Sequence, residues 1–529
     1  MKTKLVSTLI IFVLVITLQA CSPAATVTPA PIAVEPQSPQ QNAPSAAEQP
    51  RPAATFAPPV EEFYAPPAPD NQFEDPGINP QTDTRYDHLS TFALDVDTAS
   101  YSVMRRYIQD GNLPPYDSVR VEEYVNSFDP GYTAPNNAAF TIYADGAPAP
   151  AGFEEYFEYE PRGSDYILRF GVQGYRVPDA ERKPANLTFV IDVSGSMNME
   201  NRLELVKRSL RLLVNRLDGR DSVAIIVYGT DARPVLRPVS ADRKNTILRA
   251  IDRLSAEGTT NVEAGLQLGY HYANQTFQEG AINRVILCSD GVANTGNTDP
   301  EIILSEVERY VRQGITMTSI GVGMGNFNDV MMEKLADRGD GSYYYVDTLD
   351  EARSVFVDNL TSTLQVIAKD AKVQVDFNSE IVESYRLIGY ENRAIADEDF
   401  RDDSVDAGEL GAGHSAVALY AVRLRPGAEG RLATVQLRWE DPDNGNVQEI
   451  NGNFNTWELA SRFEDSTPRY QLAVTVAQFA EILRESGYGG DISLNDLARR
   501  ARSLADLLDE DEQVSEFADL VWRAAELYY

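Results

Sequence analysis

Between Asn186 and about residue 366 the chain alternates short apolar runs with stretches of helical hydrophobic spacing, and this limits the fold more than any other feature. Leu187–Asp192 reads as a buried strand, and Leu203, Val206, Leu210, Leu213, Val214 and Leu217 then recur at helical spacing. Ser222–Tyr228 is the next strand, followed by helical patterns over Arg243–Leu254 and Val262–Ala273. Arg284–Ser289 and Thr316–Val322 read as strands separated by a helix over Ile302–Arg312. Asp329–Ala336 is helical, Ser342–Val346 a strand, and Leu349 to about Leu364 one closing helix. Apolar strands joined by helices imply a mostly parallel, Rossmann-like, doubly wound α/β sheet covered on both faces.

In such sheets ligands bind beyond the carboxyl ends of the strands. Asp192, Ser194 and Ser196 follow the first strand, Asp290-Gly291 follows the Cys288 strand, and Gly258-Thr259-Thr260-Asn261 precedes a helix. Each loop alone is ordinary capping or turn chemistry. Together they bring two carboxylates and three hydroxyls to one edge, an oxygen-only set suited to Mg²⁺ or Mn²⁺. Gly195 is expected to let the loop turn so that both serines face one point. With two Cys and three His in the chain, a Cys-rich zinc module or a His-rich site is excluded. Cys288 reads as a buried thiol rather than a nucleophile.

The series Asp-x-Ser-x-Ser, then Thr, then Asp-Gly resembles the metal-ion-dependent adhesion site of von Willebrand factor A (VWA) domains. The resemblance implies a domain over 186–366 in which Ser194 and Ser196 bind the ion directly. Thr260 and Asp290 would bind directly or through water, and Asp192 would do likewise while orienting the serines. It also implies a binding event and no catalysis: an Asp or Glu of a protein partner displaces water from an incompletely neutralised ion.

Elsewhere the chain reads as exported and tethered. Lys2 and Lys4 precede an apolar run, Leu5 to Leu18, too short for a comfortable membrane span. Leu18-Gln19-Ala20-Cys21 resembles the lipobox of bacterial lipoproteins, which implies removal of residues 1–20 as a signal peptide and acylation of Cys21. The sequence leaves inner and outer membrane undetermined, although Ser22 leans toward the outer one by resemblance to sorting behaviour. Residues 21–85, with about half of the chain's 30 Pro, read as a disordered spacer. A formal net charge of −34 argues against nucleic acid and anionic lipid as partners of the folded part. No GxxxxGK[ST] loop occurs, so ATP-driven chemistry is not expected.

The flanks are expected to form an N-terminal module over 86–180, a β-rich module over 367–455 and a helical segment over 466–529. Alternating runs on both sides of the central domain predict one β-sandwich into which that domain is inserted. The stretch Asp-Val-Asp-Thr-Ala-Ser-Tyr at 95–101 resembles the N-terminal module of bacterial proteins that carry a VWA domain between two other modules, the C-terminal one without assigned function. Asp95-Val96-Asp97-Thr98 also resembles the first four residues of the nucleophile loop of haloacid-dehalogenase-type phosphatases, with Ala99 where that pattern wants Thr. That rival reading is a Mg²⁺-dependent phosphate-ester hydrolase using Asp95 and Asp97, and the plainer one is a helix cap. A third reading is an envelope scaffold that works without metal.

Overall fold

The computed structural model describes residues 71–94, 96–150, 153, 164–291, 300–324, 327–489 and 492–528. The expected signal peptide, Cys21, most of the expected spacer, and Asp95 lie outside the described residues.

The central domain holds a six-stranded sheet ordered Tyr343–Tyr345, Thr316–Gly321, Ile282–Ser289, Ala185–Asp192, Ser222–Tyr228 and Ala232–Ser240. The chain starts in the middle, runs to one edge, crosses back and runs to the other, so the direction of winding reverses between Ala185–Asp192 and Ile282–Ser289. Every residue of these two strands is buried, which explains the apolar runs Phe189–Ile191 and Val285–Cys288 at their centres. Helices Arg202–Arg216 and Lys244–Asp252 contribute to the core on one face. Val262–Gln275, Pro300–Val311 and Asp329–Asp337 contribute to the core on the other.

Two details differ from the sequence pattern. Ala232–Ser240 is an antiparallel edge strand, hidden in the sequence by Pro234, Pro238 and its Arg residues, which suit a strand with one open side. The expected closing helix is broken into Leu349–Arg353, a π turn over Ser354–Asp358, and Leu360–Leu364. The turn before the edge strand Tyr343–Tyr345 is tight, since a Cβ on Gly341 would lie 1.6 Å from the Met317 carbonyl oxygen. Gly341→Ala is therefore expected to cost about 2–3 kcal/mol in chemical denaturation, with a loss below about 0.5 kcal/mol showing that the turn can relax.

Both sides of this domain supply one β-sandwich. One sheet is ordered Thr82–Asp83, Val382–Ile388, Ser415–Leu424, Ser164–Gly174 and Phe140–Pro148. The other is Gly408–Gly411, Val366–Phe377, Arg431–Glu440 and Val447–Asn455, with Leu89–Ala93 also paired to Val366–Phe377. Phe92, Phe170 and Val172 from before the central domain share a core with Val373, Trp439 and Phe454 from after it. The VWA-like domain is thus an insertion in a sandwich.

The helices form a fourth core. Ala99–Gln109 and Val121–Asn126 of the N-terminal flank pack with Pro468–Leu483, Leu494–Leu507 and Glu512–Leu527. Phe128 meets Phe517 edge-on at 5.4 Å between centroids. Among the described residues no helix is long and apolar enough to cross a membrane. Ordered contacts also begin before residue 86. Gln72 N–H donates to the Phe327 carbonyl at 2.8 Å, and Thr82–Asp83 pairs with Tyr385 and Ser384. Main-chain pairing needs no apolar side chains, so a composition-based spacer ending at residue 85 runs too far for residues 71–85.

Candidate metal centre

The carboxyl ends of Ala185–Asp192 and Ile282–Ser289 lie side by side, because the strands pair in parallel with Ile191 opposite Cys288. Asp192 ends its strand fully buried. Its Oδ1 accepts the Ser194 N–H at 2.7 Å and its Oδ2 the Ser289 hydroxyl at 3.1 Å, so both oxygens are fixed in direction. Ser194 precedes the 3₁₀ turn Gly195–Asn201, yet its side chain makes no capping bond. Its hydroxyl instead shares a 3.0 Å hydrogen bond with that of Ser196.

The third loop is held against the first. Gly195 N–H donates to the Gly258 carbonyl at 3.1 Å, and Glu257 N–H to the Val193 carbonyl. Gly258 has φ +78°, and a Cβ there would lie 2.9 Å from the Thr230 nitrogen, so this position needs glycine. Asn261 then caps Val262–Gln275 by accepting the Ala264 N–H at 3.0 Å. Buried Thr260 is carried between these two fixed points. The two serine hydroxyls do face one another, but Gly195 does not use a left-handed φ to bring this about; at this edge that region is taken by Glu200, Asn201, Gly258 and Gly291.

Asp290, also fully buried, follows the Ile282–Ser289 strand. Its Oδ2 accepts from Arg202 Nη1 at 3.0 Å, while its Oδ1 is buried without a hydrogen-bond partner among the described residues. Burial and the charge of Asp290 push the Asp192 carboxyl up to about 7, against the bonds from Ser194 and Ser289. Two adjacent carboxylates, two paired hydroxyls and one orphaned carboxylate oxygen fit a hard divalent cation. Among the described residues no three His, Cys, Asp or Glu cluster to hold a metal, so a cation here would depend on the hydroxyls.

Sequence reasoning missed Arg202. It also donates to the Met324 carbonyl, and it presses on Gly323, where a Cβ would lie 2.0 Å from its Nε. The available signal was a basic residue opening a helix, where the dipole favours acids.

The other candidates separate from this edge. Asp97 accepts the Tyr343 N–H at 2.9 Å and faces Arg393 at 3.9 Å, joining the N-terminal flank to the edge strand. Thr98 precedes helix Ala99–Gln109 without a side-chain cap bond, and Glu123 accepts the Ser100 N–H at 2.7 Å instead. Cys288 is buried, and burial pushes its thiol up to about 12.

Fold and edge loops together agree with a VWA domain over the central part of the chain. Residues 186–360 match the family described as von Willebrand factor type A domain, a module that typically mediates interactions between proteins. Residues 67–156 match a family described as von Willebrand factor, and 362–527 one described as uncharacterized protein YfbK, C-terminal. The chain is 40% identical over 376 residues to the uncharacterized protein YfbK of Escherichia coli (strain K12), covering 70% of this chain and 63% of that protein. It is 27% identical over 286 residues to the uncharacterized protein sll0103 of Synechocystis, covering 53% of this chain and 67% of the other. The solved von Willebrand factor type A protein from Catenulispora acidiphila aligns at 16% identity and TM-score 0.42, over 73% of this chain and 90% of that one.

Proposed function

We propose that this protein is a cell-envelope lipoprotein, anchored through Cys21, that captures an acidic side chain of a protein partner at a divalent cation on its VWA domain. The observation that carries the reading is the meeting of Asp192, Ser194 and Ser196 with the Thr260 loop and the orphaned Oδ1 of Asp290. Bound there, Mg²⁺ or Mn²⁺ would supply a coordination position that a carboxylate from outside can fill. Ser194 and Ser196 offer neutral oxygens, which leave the ion's charge incompletely cancelled. Asp192 holds the Ser194 loop in place through its main-chain bond, and Asp290 turns its free oxygen inward while Arg202 holds the other. The reading is one of binding without catalysis.

Calorimetric titration of the EDTA-stripped protein with Mg²⁺ tests it. Thr260→Ala is expected to weaken the ion at least about tenfold, as loss of an oriented ligand does, with the thermal midpoint unchanged. Equal affinities in variant and parent would overturn the proposal.

A further inference from the structure

Between Arg202 and Arg253 the chain carries twelve Lys and Arg against six Asp and Glu, in a molecule of formal net charge −34. This stretch builds helix Arg202–Arg216, edge strand Ala232–Ser240 and helix Lys244–Asp252. The two helices lie antiparallel: Lys244 Nζ donates to the Asn215 carbonyl at 3.0 Å, Arg211 to Asp252 at 2.6 Å, and Lys207 to the Leu254 carbonyl at 3.3 Å. Arg208 lies three residues before Arg211, and Arg249 one helical turn before Arg253, so their exposed side chains flank the Arg211–Asp252 bridge. Glu204, Asp242 and Asp252 sit among them. Arg211, Arg216, Arg220 and Arg233 each have an acidic partner. Exposed Arg208, Arg237, Arg243, Arg249 and Arg253 form no salt bridge among the described residues, although Arg208 is near enough to Glu204 to help lower its carboxyl.

The position of this face gives it a purpose. Helix Lys244–Asp252 runs directly into the loop that carries Thr260, so the basic face begins at the rim of the candidate centre. We infer that this face docks an Asp/Glu-rich segment of the partner polypeptide, the same segment whose carboxylate reaches the cation. The link to the cation rests on the function proposed above; the face itself acts without metal. Arginine forks match carboxylates two bonds at a time. A flexible acidic segment can lie within about one Debye length, about 8 Å, of this band alone. A bilayer or a rigid duplex would also present its charge to the acidic remainder of the molecule and be repelled. The acidity of the chain is therefore locally reversed by protein side chains as well as by the proposed ion.

The test is fluorescence anisotropy of a labelled poly-glutamate peptide with the full protein in EDTA. Binding is expected without metal, falling at least about tenfold between about 50 and about 200 mM salt. Combined Arg208→Glu, Arg249→Glu and Arg253→Glu is expected to abolish it with an unchanged thermal midpoint, while Thr260→Ala leaves it intact. Three results would overturn the inference: no peptide binding, undiminished binding by the triple variant, or tighter binding to phosphatidylglycerol vesicles or duplex DNA than to the peptide. Added Mg²⁺ should tighten peptide binding in the parent and not in Thr260→Ala. Failure of that increment alone counts against the cation reading and leaves the basic face standing.

Discussion

Arg202→Leu is expected to destabilise the metal-free protein by about 3–5 kcal/mol in urea unfolding at neutral pH. Arg202 and Asp290 are both buried, 3.0 Å apart, and the same guanidinium holds the Met324 carbonyl. Leucine fills part of the volume but leaves the Asp290 carboxylate without its cation, next to Asp192, in a place water does not reach. Breaking one side of such a pair costs more than the pair contributes, because the remaining charge stays buried. Arg202→Lys should recover only part of the loss, since an ammonium is a point charge and cannot span both acceptors as the planar fork does. If Arg202→Leu unfolds within about 1 kcal/mol of the parent, Asp290 is neutralised by other means and the account of this corner is wrong.

Glu481→Ala is expected to cost a similar amount, about 3–5 kcal/mol, at a site far along the chain from the VWA domain. Glu481 is wholly buried and accepts from Arg386 at 3.0 Å and from Arg484 at 2.9 and 3.0 Å. Arg484 continues to Glu391 at 2.8 Å, and Arg386 stacks on the Tyr488 ring at 3.9 Å. Alanine would leave two buried guanidiniums facing a cavity. Burial by itself would raise the Glu481 carboxyl, but the charges of Arg386 and Arg484 outweigh it and hold the group at about 2. A depressed carboxyl stabilises the fold above its unfolded value, about 4.5, and loses that contribution as pH falls toward 2. Acid unfolding of the parent should therefore steepen between those limits, and Glu481→Ala should flatten that part of the curve. Parallel acid profiles in the two proteins would show that the clasp is not what titrates.

The sequence disclosed what local pattern can encode. Ala185–Asp192 and Ile282–Ser289 are buried on both faces, so their centres, Phe189–Ile191 and Val285–Cys288, are apolar, while the polar residues at their ends are buried with partners. The loops at their ends carried the oxygen set in order, and the structure brings the Asp192, Ser194, Ser196 and Asp290 loops to one edge with the Thr260 loop bonded beside them. What stayed hidden is pairing between distant segments. Val373 opposite Phe92 links positions whose spacing in the chain carries no periodic signal. Phe128 against Phe517 is of the same kind. Arg202 was unreadable for a related reason: on the helical pattern it is one more polar residue, and its meaning depends on Asp290 arriving from another strand. The basic face emerges only when two helices and an edge strand close together in sequence are laid side by side.

The insertion has a mechanical consequence. Both chain exits of the VWA domain enter the sandwich, one from Ser164–Gly174 and one directly into Val366–Phe377, and these strands belong to different sheets. Each is flanked by antiparallel neighbours on both sides. A pull on a captured ligand would thus divide between two sheets and meet rows of hydrogen bonds loaded in shear, which must fail together rather than unzip one by one.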